Sequence, residues 1–366
     1  MDWAEMSEQF GLGNPETLRK AGVGVQLVRD AQMISDGCGS ALDTTDGFRE
    51  RQKMRDLNRQ ITAEVRAQSR SELLRETIRE SIKDLPSFRP PIRVVRNYDS
   101  DKRLLVGIGD IHFGADINVR GLRGEVINVY NMSVFQERMW NLLEELVDIG
   151  EKNDICQMDI CFVGDLLDGM LRQSQLMRLQ YGVVESTMRL SEFLANWLNE
   201  LSLTFDVKVH GATGNHSEIR PLGSKKGDFE EENLERIIFW YLNSRLEENK
   251  RVEIFDNIRS IDFFKSAGLN ILLLHGDSEQ SIDKLAANAI TQYNEPIDII
   301  ICGHKHREME FPSGMSPRGD TTIIRVPSIC GVDSYAMRKG YNGKPGATAM
   351  VLEAGYGRRC VYPIRL

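Results

Sequence analysis

Short apolar runs, each followed by a turn that carries Asp, Asn or His, recur along this 366-residue chain. Each run has the length of a buried strand, and helix-forming sequence separates several of them. The carboxyl ends of parallel strands lie at one edge of a sheet, so polar turns that follow them converge there. The pattern therefore predicts an α/β fold with one polar site at a sheet edge. The five runs are residues 104–106, 160–163, 207–209, 271–274 and 297–301.

The turns hold five of the six histidines of the chain. Their donor atoms are oxygens and imidazole nitrogens without a thiolate, which suits a catalytic Mn²⁺, Fe²⁺ or Zn²⁺ better than a structural zinc. Two cations about 3.5 to 4 Å apart, bridged by a carboxylate, can activate a water molecule and neutralise a phosphoryl group. His210 has no such motif, and we interpret it as structural. The turns are Gly109-Asp110-Ile111-His112, Gly164-Asp165-Leu166-Leu167-Asp168, Gly214-Asn215-His216, Leu274-His275-Gly276-Asp277 and Gly303-His304-Lys305-His306.

The remaining pattern predicts two packed sheets with helices outside them. A helix is predicted to begin at Ser133, because Ser133 and Gln136 match a capping box ahead of an apolar helical stripe. Residues 321–326, 347–352 and 360–364 are predicted to be hairpin-connected strands that close the second sheet.

The composition, with 41% hydrophobic and 27% charged residues, is ordinary for a globular protein. No apolar run approaches the roughly 18 to 20 residues of a membrane helix, and the N-terminus lacks a signal-peptide pattern, so we expect a cytoplasmic protein without a membrane partner. The six cysteines are scattered, several in apolar runs, as is typical of reduced core residues. The net charge of −8 argues weakly against a protein that coats nucleic acid.

The N-terminal 91 residues have a different pattern from the rest. Residues 1–47 are predicted to form a small helical module, in which a turn at Gly13-Asn14-Pro15 matches either a helix-turn-helix DNA-binding unit or a plain helical hairpin. Residues 48–91 are predicted to be a charged helical linker that Pro90-Pro91 ends. These helices could also support oligomerisation. Residues 92–366 are predicted to be the catalytic domain.

From about residue 103 onward, the order of the motifs resembles the calcineurin-like metallophosphoesterases. That family carries Asp-x-His, Gly-Asp-x-x-Asp, Gly-Asn-His-acid, His and Gly-His-x-His blocks. The resemblance implies a four-layer β-sandwich flanked by helices, here with the N-terminal helical module appended, and a site for two divalent cations. The implied ligands are Asp110, His112 and His306 for one cation, Asn215, His275 and His304 for the other, and Asp165 as the bridge.

The resemblance also implies that His216 contacts the phosphate and protonates the leaving oxygen, a general-acid role that imidazole can fill near neutral pH. The family usually has an acidic residue directly after this histidine, whereas here Ser217 intervenes before Glu218. The acid that orients His216 is therefore either Glu218 or Asp168. We take His216 and Glu218 as the candidate catalytic residues.

The surroundings of the motifs favour a phosphodiester. Asp168 is followed by Gly169 rather than by the Arg of the Ser/Thr protein phosphatases, and the Gly-Asp-Ile-His-Phe-Gly block resembles the DNA-repair nuclease and phosphodiesterase branches. Basic loops at 220–227 and 335–346 suit a phosphate backbone with stacked bases, but they are equally consistent with ordinary surface loops.

The sequence thus predicts a dimetal phosphodiesterase, a DNA or RNA nuclease, that works by in-line attack of a metal-bound hydroxide. Mn²⁺ is the expected cation, with Fe²⁺, Zn²⁺ and Mg²⁺ as alternatives. Two other functions stay open: a phosphoesterase for a small nucleotide or phosphomonoester, and a non-catalytic scaffold with the same fold.

Overall fold

The computed structural model describes residues 101–366 except 170–172, 221–223, 226–227, 230, 257, 278–286, 289–290, 293, 317–318 and 341–342. The predicted helical module at 1–47 and the charged linker at 48–91 lie outside the described residues. The predicted domain boundaries therefore stay predictions.

The described part alternates between strands and helices. Its strands are β1 (Lys102–Ile108), β2 (Ile117–Arg120), β3 (Val126–Tyr130), β4 (Gln157–Phe162), β5 (Asp206–Gly211), β6 (Val252–Ile254), β7 (Ile261–Ser266), β8 (Leu269–Leu274), β9 (Ile299–Cys302), β10 (Met309–Ser316), β11 (Gly319–Arg325), β12 (Gly346–Glu353) and β13 (Gly357–Arg365). Its helices are α1 (Met132–Lys152), α2 (Gln173–Leu176), α3 (Val183–Leu201), α4 (Leu234–Arg245) and α5 (Ser334–Lys339).

The larger sheet has six strands in the order β13-β12-β1-β4-β5-β6. Strands β1, β4, β5 and β6 are parallel, β12 is antiparallel to β1, and β13 is antiparallel to β12. Ile108 at the end of β1 pairs with Phe162 at the end of β4, which pairs with Gly211 at the end of β5. These three strands therefore end level, and the turns that follow them lie side by side.

The second sheet has five strands in the order β10-β11-β9-β8-β7. Strands β8, β9 and β11 are parallel, and each outer strand is antiparallel to its neighbour. Leu273 near the end of β8 pairs with Ile301 near the end of β9. The turns after β8 and β9 are therefore neighbours as well. Strands β2 and β3 form a separate hairpin.

The two sheets pack face to face through a shared layer of buried apolar side chains. Burial of one such side chain contributes about 1.5 to 3 kcal/mol. This layer therefore holds the two sheet edges, and the turns at their ends, in a defined relative position. Its buried members are Leu105, Cys161, Val163, Ala212, Met350 and Leu352 from the first sheet and its following turns, and Ile271, Leu273, Ile299, Ile301, Ile324 and Val326 from the second.

Helices cover the opposite face of the six-stranded sheet. Phe239 of α4 packs edge-on against Phe162 of β4, with ring centroids 6.0 Å apart. Trp197 of α3 is buried and donates a 2.7 Å hydrogen bond from Nε1 to the carbonyl of Met139 in α1. Within the described part of the chain, no helix combines the length and the apolar character that a membrane crossing needs.

Helix α1 begins at Met132, with Asn131 as its N-cap. Oδ1 of Asn131 accepts a hydrogen bond from the backbone N–H of Val134 (3.1 Å). The predicted cap at Ser133 was wrong because Ser133 already lies inside the helix. Asn and Ser are comparable N-caps, so the sequence did not distinguish between two candidates this close together.

The α/β class and the two packed sheets are confirmed, and the five predicted strands overlap with β1, β4, β5, β8 and β9. One assignment was wrong. Residues 347–352 and 360–364 lie in β12 and β13, which extend the first sheet beside β1, while 321–326 overlaps with β11 of the second sheet. Apolar alternation marks a strand but not the sheet edge that it joins.

His210 at the end of β5 is held by packing between the sheets. Its ring stacks on Phe264 and Phe255, with centroids 3.6 Å and 4.5 Å away. Its Nδ1 lies 3.1 Å from Oδ2 of Asp262. These contacts account for a buried histidine without a metal ion.

Candidate metal centre

The candidate ligands lie on the loops after β1, β4, β5, β8 and β9. Backbone hydrogen bonds join these loops: the N–H of His112 donates to the carbonyl of Asp165 (2.9 Å), and the N–H of Gly303 to that of His275 (3.0 Å). The structure brings all seven predicted ligands into one cluster, and His216 lies beside it. The seven are Asp110, His112, Asp165, Asn215, His275, His304 and His306.

Much of the cluster has left-handed backbone geometry, which non-glycine residues rarely adopt. Five candidate ligands account for five of the eight non-glycine residues with positive φ in the described part. Such strain costs about 1 to 3 kcal/mol per residue and persists only where the surrounding structure enforces it, which is typical of functional sites. The five are Asp110, His112, Asp165, His304 and His306, with φ between 48° and 68°.

One half of the cluster contains Asp110, His112 and His306. Oδ1 of Asp110 lies 3.4 Å from Nε2 of His306 and 3.9 Å from Nε2 of His112. The two imidazole Nε2 atoms are 3.2 Å apart. Oδ2 of Asp110 accepts a hydrogen bond from the backbone N–H of His304 (2.9 Å), which joins this half to the other. Three potential ligand atoms thus converge on one small volume.

The other half contains Asp165, Asn215, His275 and His304. Nε2 of His275 lies 3.0 Å from Oδ2 of Asp165, and 3.1 Å from both Oδ1 of Asn215 and Nδ1 of His304. The same oxygen of Asp165 lies 4.0 Å from Nε2 of His112. One carboxylate oxygen therefore faces both halves, as a bridging ligand must.

The orientation of the imidazoles fits metal ligation. Nδ1 of His275 donates to the carbonyl of Val163 (2.7 Å), and Nδ1 of His306 to that of Gly331 (3.1 Å). Because a carbonyl only accepts, Nδ1 carries the proton, and a neutral ring presents the lone pair of Nε2 to the cluster. Nε2 of His275 then faces Oδ2 of Asp165, a second acceptor. A cation between two acceptors satisfies both.

The electrostatics of the cluster also call for positive charge. Burial lowers the pKa of His275, but the Asp165 carboxylate outweighs it and raises this pKa to about 10. Burial and the charge of His275 lower the pKa of His304 to about 4. Burial raises the pKa of Asp165, but His275 and then His216 outweigh it and lower that pKa well below its usual value. A buried carboxylate that stays ionised requires a cationic partner.

His216 is paired with Asp168 rather than with the ligand group. Its Nδ1 lies 2.8 Å from Oδ1 of Asp168, and its backbone N–H donates to Oδ1 of Asp165 (2.9 Å). Burial lowers the pKa of His216, but the charge of Asp165 and the hydrogen bond to Asp168 outweigh it, so this pKa lies above its usual value of 6.5. The two carboxylates therefore favour the protonated form of this imidazole, which lies at the margin of the cluster.

Glu218 is buried and bound to a guanidinium. Its Oε2 accepts hydrogen bonds from Nε (2.8 Å) and Nη2 (2.5 Å) of Arg220. Nη2 of Arg220 also donates to the carbonyl of Asn215 (3.4 Å). Of the two acids that the sequence left open, Asp168 is thus the one that orients His216. A catalytic role of Glu218 stays a prediction.

Sequence reasoning missed a polar pair that supports the loop after β11, in which the carbonyl of Gly331 accepts a hydrogen bond from His306. Arg138 of α1 donates from Nη1 to the carbonyl of Ile329 (2.7 Å) and from Nη2 to Oδ1 of Asn128 (3.0 Å). Nδ2 of Asn128 donates to the carbonyls of Cys330 and Val332, both at 2.9 Å. In the sequence, the position of Arg138 within the apolar stripe of α1 indicates a buried arginine. It does not indicate which residue binds that arginine.

Glu235, at the first turn of α4, was also missed. It is fully buried and accepts hydrogen bonds from two strand-end loops. Burial, and then the charge of Asp165, raise the pKa of Glu235 to about 7, against the effect of its hydrogen-bond donors. The sequence around Glu235 contains none of the metal-ligand motifs, so it gave no indication of this role.

A family model described as calcineurin-like phosphoesterase matches residues 104–308, which contain all the candidate ligands. The chain belongs to the calcineurin-like phosphoesterase family. The predicted family is confirmed, and with it the phosphoesterase class of the domain over residues 104–308. This family implies divalent metal ions, and His and Asp groups of the cluster are placed to hold them.

Among curated proteins, this phosphoesterase is similar to the SPbeta prophage-derived uncharacterized protein YonJ of Bacillus subtilis (strain 168). The two are 30% identical over 280 residues, which are 76% of this chain and 66% of YonJ. The chain therefore spans slightly less than two thirds of that relative.

Two solved structures are also similar to this phosphoesterase. A dimetal phosphatase from Danio rerio is 13% identical, with a TM-score of 0.35, over 72% of this chain and 98% of its own. Vps29 from Entamoeba histolytica, solved as a Zn²⁺ complex, is 14% identical, with a TM-score of 0.31, over the same 72% of this chain and 98% of its own.

Proposed function

We propose that this phosphoesterase hydrolyses phosphodiester bonds in nucleic acid, with two divalent cations of which Mn²⁺ is the native metal. The observation that carries the proposal is a group of cationic side chains around the loop of His304 and His306. We call this group the basic rim. Lys305 is half-buried and the other members are exposed. The basic rim consists of Lys305, Arg307, Arg338 and Lys344.

Chain position and one close backbone contact connect the basic rim to the loops of the candidate ligands. Lys305 and Arg307 flank His306 in the chain. The backbone of Gly343 packs so closely on this loop that a Cβ there would overlap the carbonyl oxygen of His306, which brings the next residue, Lys344, alongside. Arg338 lies on α5, which follows shortly after Gly331, the residue whose carbonyl accepts from His306.

The charges of the basic rim are available to a ligand. Within the part of the chain that the structure describes, none of its four side chains forms an ion pair. The nearby acidic residues Glu308 and Glu310 are instead paired with Arg365 and Arg358. Unneutralised cations attract a polyanion, because each phosphate contact releases counterions from the nucleic acid.

The residues of the cluster divide the chemistry between them. When bound, two cations held by the seven ligands would polarise the phosphoryl group and activate a water molecule. His216 donates a proton from Nε2 to the leaving oxygen, because Asp168 holds its Nδ1. The basic rim binds the neighbouring phosphates of the strand. Gly169 after Asp168 offers no side chain to grip a terminal phosphate.

The test compares Mn²⁺-dependent hydrolysis of single-stranded DNA, double-stranded DNA, RNA, a generic phosphodiester and a generic phosphomonoester. It uses the full chain and its His216→Ala variant. We expect turnover of a nucleic acid and of the generic diester, and a loss of about 100-fold or more in kcat on the nucleic acid in the variant.

Turnover of the monoester alone would contradict the proposal and favour a small phosphoester or nucleotide as the substrate. No metal-dependent turnover of any substrate would favour a scaffold. Repeating the assay with Fe²⁺, Zn²⁺ and Mg²⁺ tests the metal, and higher kcat/KM with any of these would exclude Mn²⁺ as the preferred ion.

A further inference from the structure

Glu235 joins two of the loops that carry candidate ligands. Its Oε1 accepts hydrogen bonds from the backbone N–H of Leu166 (2.8 Å) and from Oγ of Ser217 (2.9 Å). Its Oε2 accepts one from the backbone N–H of Gly214 (2.8 Å). Leu166 follows Asp165, and Gly214 precedes Asn215. One carboxyl group thus connects the loop after β4 with the loop after β5.

The start of α4 docks on the same loop through its neighbours. Nδ2 of Asn233, the N-cap, donates to the carbonyl of Gly214 (2.8 Å), while its Oδ1 accepts from the backbone N–H of Glu235 (3.0 Å). The backbone N–H of Leu234 donates to the carbonyl of Ser217 (3.0 Å). Hydrogen bonds therefore hold both the backbone and the carboxyl group of Glu235. They define the position of this residue relative to the two loops.

We propose that Glu235 is a positioning residue that sets the distance between Asp165 and Asn215 and thereby the affinity for a divalent cation. It acts through the backbone next to each of these residues rather than through their side chains. Ser217 occupies the position where the family usually has an acidic residue. Its hydroxyl donates a hydrogen bond to the carboxyl group of Glu235. Glu235 and Leu166 are fully buried, so a backbone N–H that loses this carboxyl acceptor cannot form a hydrogen bond with water instead.

The geometry predicts which substitutions break the connection. Each carboxyl oxygen of Glu235 faces a backbone N–H group, and each of the two oxygens can accept a hydrogen bond. A glutamine of the same shape has one oxygen and one NH₂ group, so one backbone N–H would face another donor. Ser217→Ala removes the third hydrogen bond but leaves both backbone acceptors in place, and it should have a smaller effect.

A buried carboxylate elsewhere in the sandwich provides the matched control. Asp159 in β4 is 1% exposed, pairs with Arg103 and accepts a hydrogen bond from Ser266. It lies within the strand, away from the loops after β4 and β5. Asp159→Asn should lower the melting temperature without changing metal affinity.

The experiment measures Mn²⁺ binding by titration calorimetry on the full chain, for wild type, Glu235→Gln, Ser217→Ala and Asp159→Asn. Thermal melts of the metal-free proteins accompany it. We expect Glu235→Gln to weaken one of two Mn²⁺ binding events by about 10- to 100-fold. We expect a smaller weakening in Ser217→Ala and none in Asp159→Asn. Excess Mn²⁺ should restore part of the kcat that Glu235→Gln loses on a generic diester.

Wild-type Mn²⁺ affinity in Glu235→Gln would overturn the inference, and so would an equal loss of affinity in Asp159→Asn. If Glu235→Gln yields no folded protein, Ser217→Ala decides: weakened binding supports the inference and unchanged binding overturns it. The inference rests on the divalent-cation site of the proposed function. Failure of the nuclease proposal would appear in the wild-type substrate assay, whereas failure of this inference would appear in the variants' Mn²⁺ binding.

Discussion

Nδ1 of His216 lies 2.8 Å from Oδ1 of Asp168, a residue of the loop after the preceding strand of the same sheet. Because this contact occupies Nδ1, Nε2 is the nitrogen that can give a proton to a substrate. Asp168 lies close to His112 as well, with 3.6 Å between its Oδ1 and Nδ1 of that ring. One carboxylate therefore aligns the proposed acid with a candidate ligand.

This alignment predicts a dependence on the leaving group. A general acid matters most when the departing oxygen is a poor leaving group. His216→Ala and Asp168→Asn should each lower kcat about 100-fold or more on a diester with an alkyl leaving group, and only several-fold with p-nitrophenolate. Steady-state rates on the two diesters measure this. Equal losses on both would exclude His216 as the acid, and an unaffected Glu218→Gln variant would separate Asp168 from the other candidate.

Removal of the basic rim should weaken binding to long substrates. Arg338→Gln with Lys344→Gln should raise KM for a single-stranded oligonucleotide several-fold and leave the rate on a small diester unchanged. The slope of log affinity against log salt should become shallower by about 0.7 for each phosphate that the double variant no longer binds.

The matched control for the basic rim is Lys250→Gln. Lys250 is exposed and comes two residues before β6, at the amino ends of the parallel strands, whereas the candidate ligands follow the carboxyl ends. An equal change in salt slope for Lys250→Gln would show that only net charge matters.

Arg138 should contribute strongly to stability. It is 9% exposed, and Arg138→Met would leave the carbonyl of Ile329 and the side chain of Asn128 without their donor. Loss of one partner in a buried polar group that includes a charge costs about 3 kcal/mol. Urea denaturation measures the change in the free energy of unfolding. The exposed pair Lys152–Asp148 gives the comparison, since Lys152→Met should leave the free energy of unfolding almost unchanged.

Removal of divalent metal should destabilise the fold as well as abolish activity. A ligand at a hundred times its Kd, bound to the folded state alone, adds about 2.7 kcal/mol to the free energy of unfolding per site. We expect EDTA to lower the melting temperature and Mn²⁺ to restore it. Asp165→Asn, which weakens the bridge, should show a much smaller difference between the two conditions. Identical melting temperatures in wild type with and without Mn²⁺ would contradict a bound cation pair.

The strand pattern and the polar turns could be read from the sequence because both are local. Alternation and run length predict a strand, and a turn must follow it. The motifs at Asp110, Asp165, Asn215 and His304 are therefore recognisable from contiguous residues, and the structure brings them together. The sheet to which β12 and β13 belong could not be predicted in this way. It depends on which sheet has an unpaired edge strand available, and here that strand is β1.

The support of the cluster could not be predicted for a related reason. Glu235 lies 69 residues from Leu166, with which it shares a hydrogen bond, and Asn128 lies 202 residues from Cys330. Nothing in the neighbourhood of Glu235 or Asn128 indicates such a partner. The role of a single buried polar residue can be assigned only when its hydrogen-bond partners are known.

Strand periodicity and short motifs are properties of contiguous residues, so the fold class, the family and the residues that gather at the sheet edge were predictable without a structure. That Asp168 rather than Glu218 orients His216, and that Glu235 holds the loops of Asp165 and Asn215 together, became visible only in three dimensions. Hydrogen bonds between loops depend on how two sheets pack, and that packing sums many distant apolar contacts.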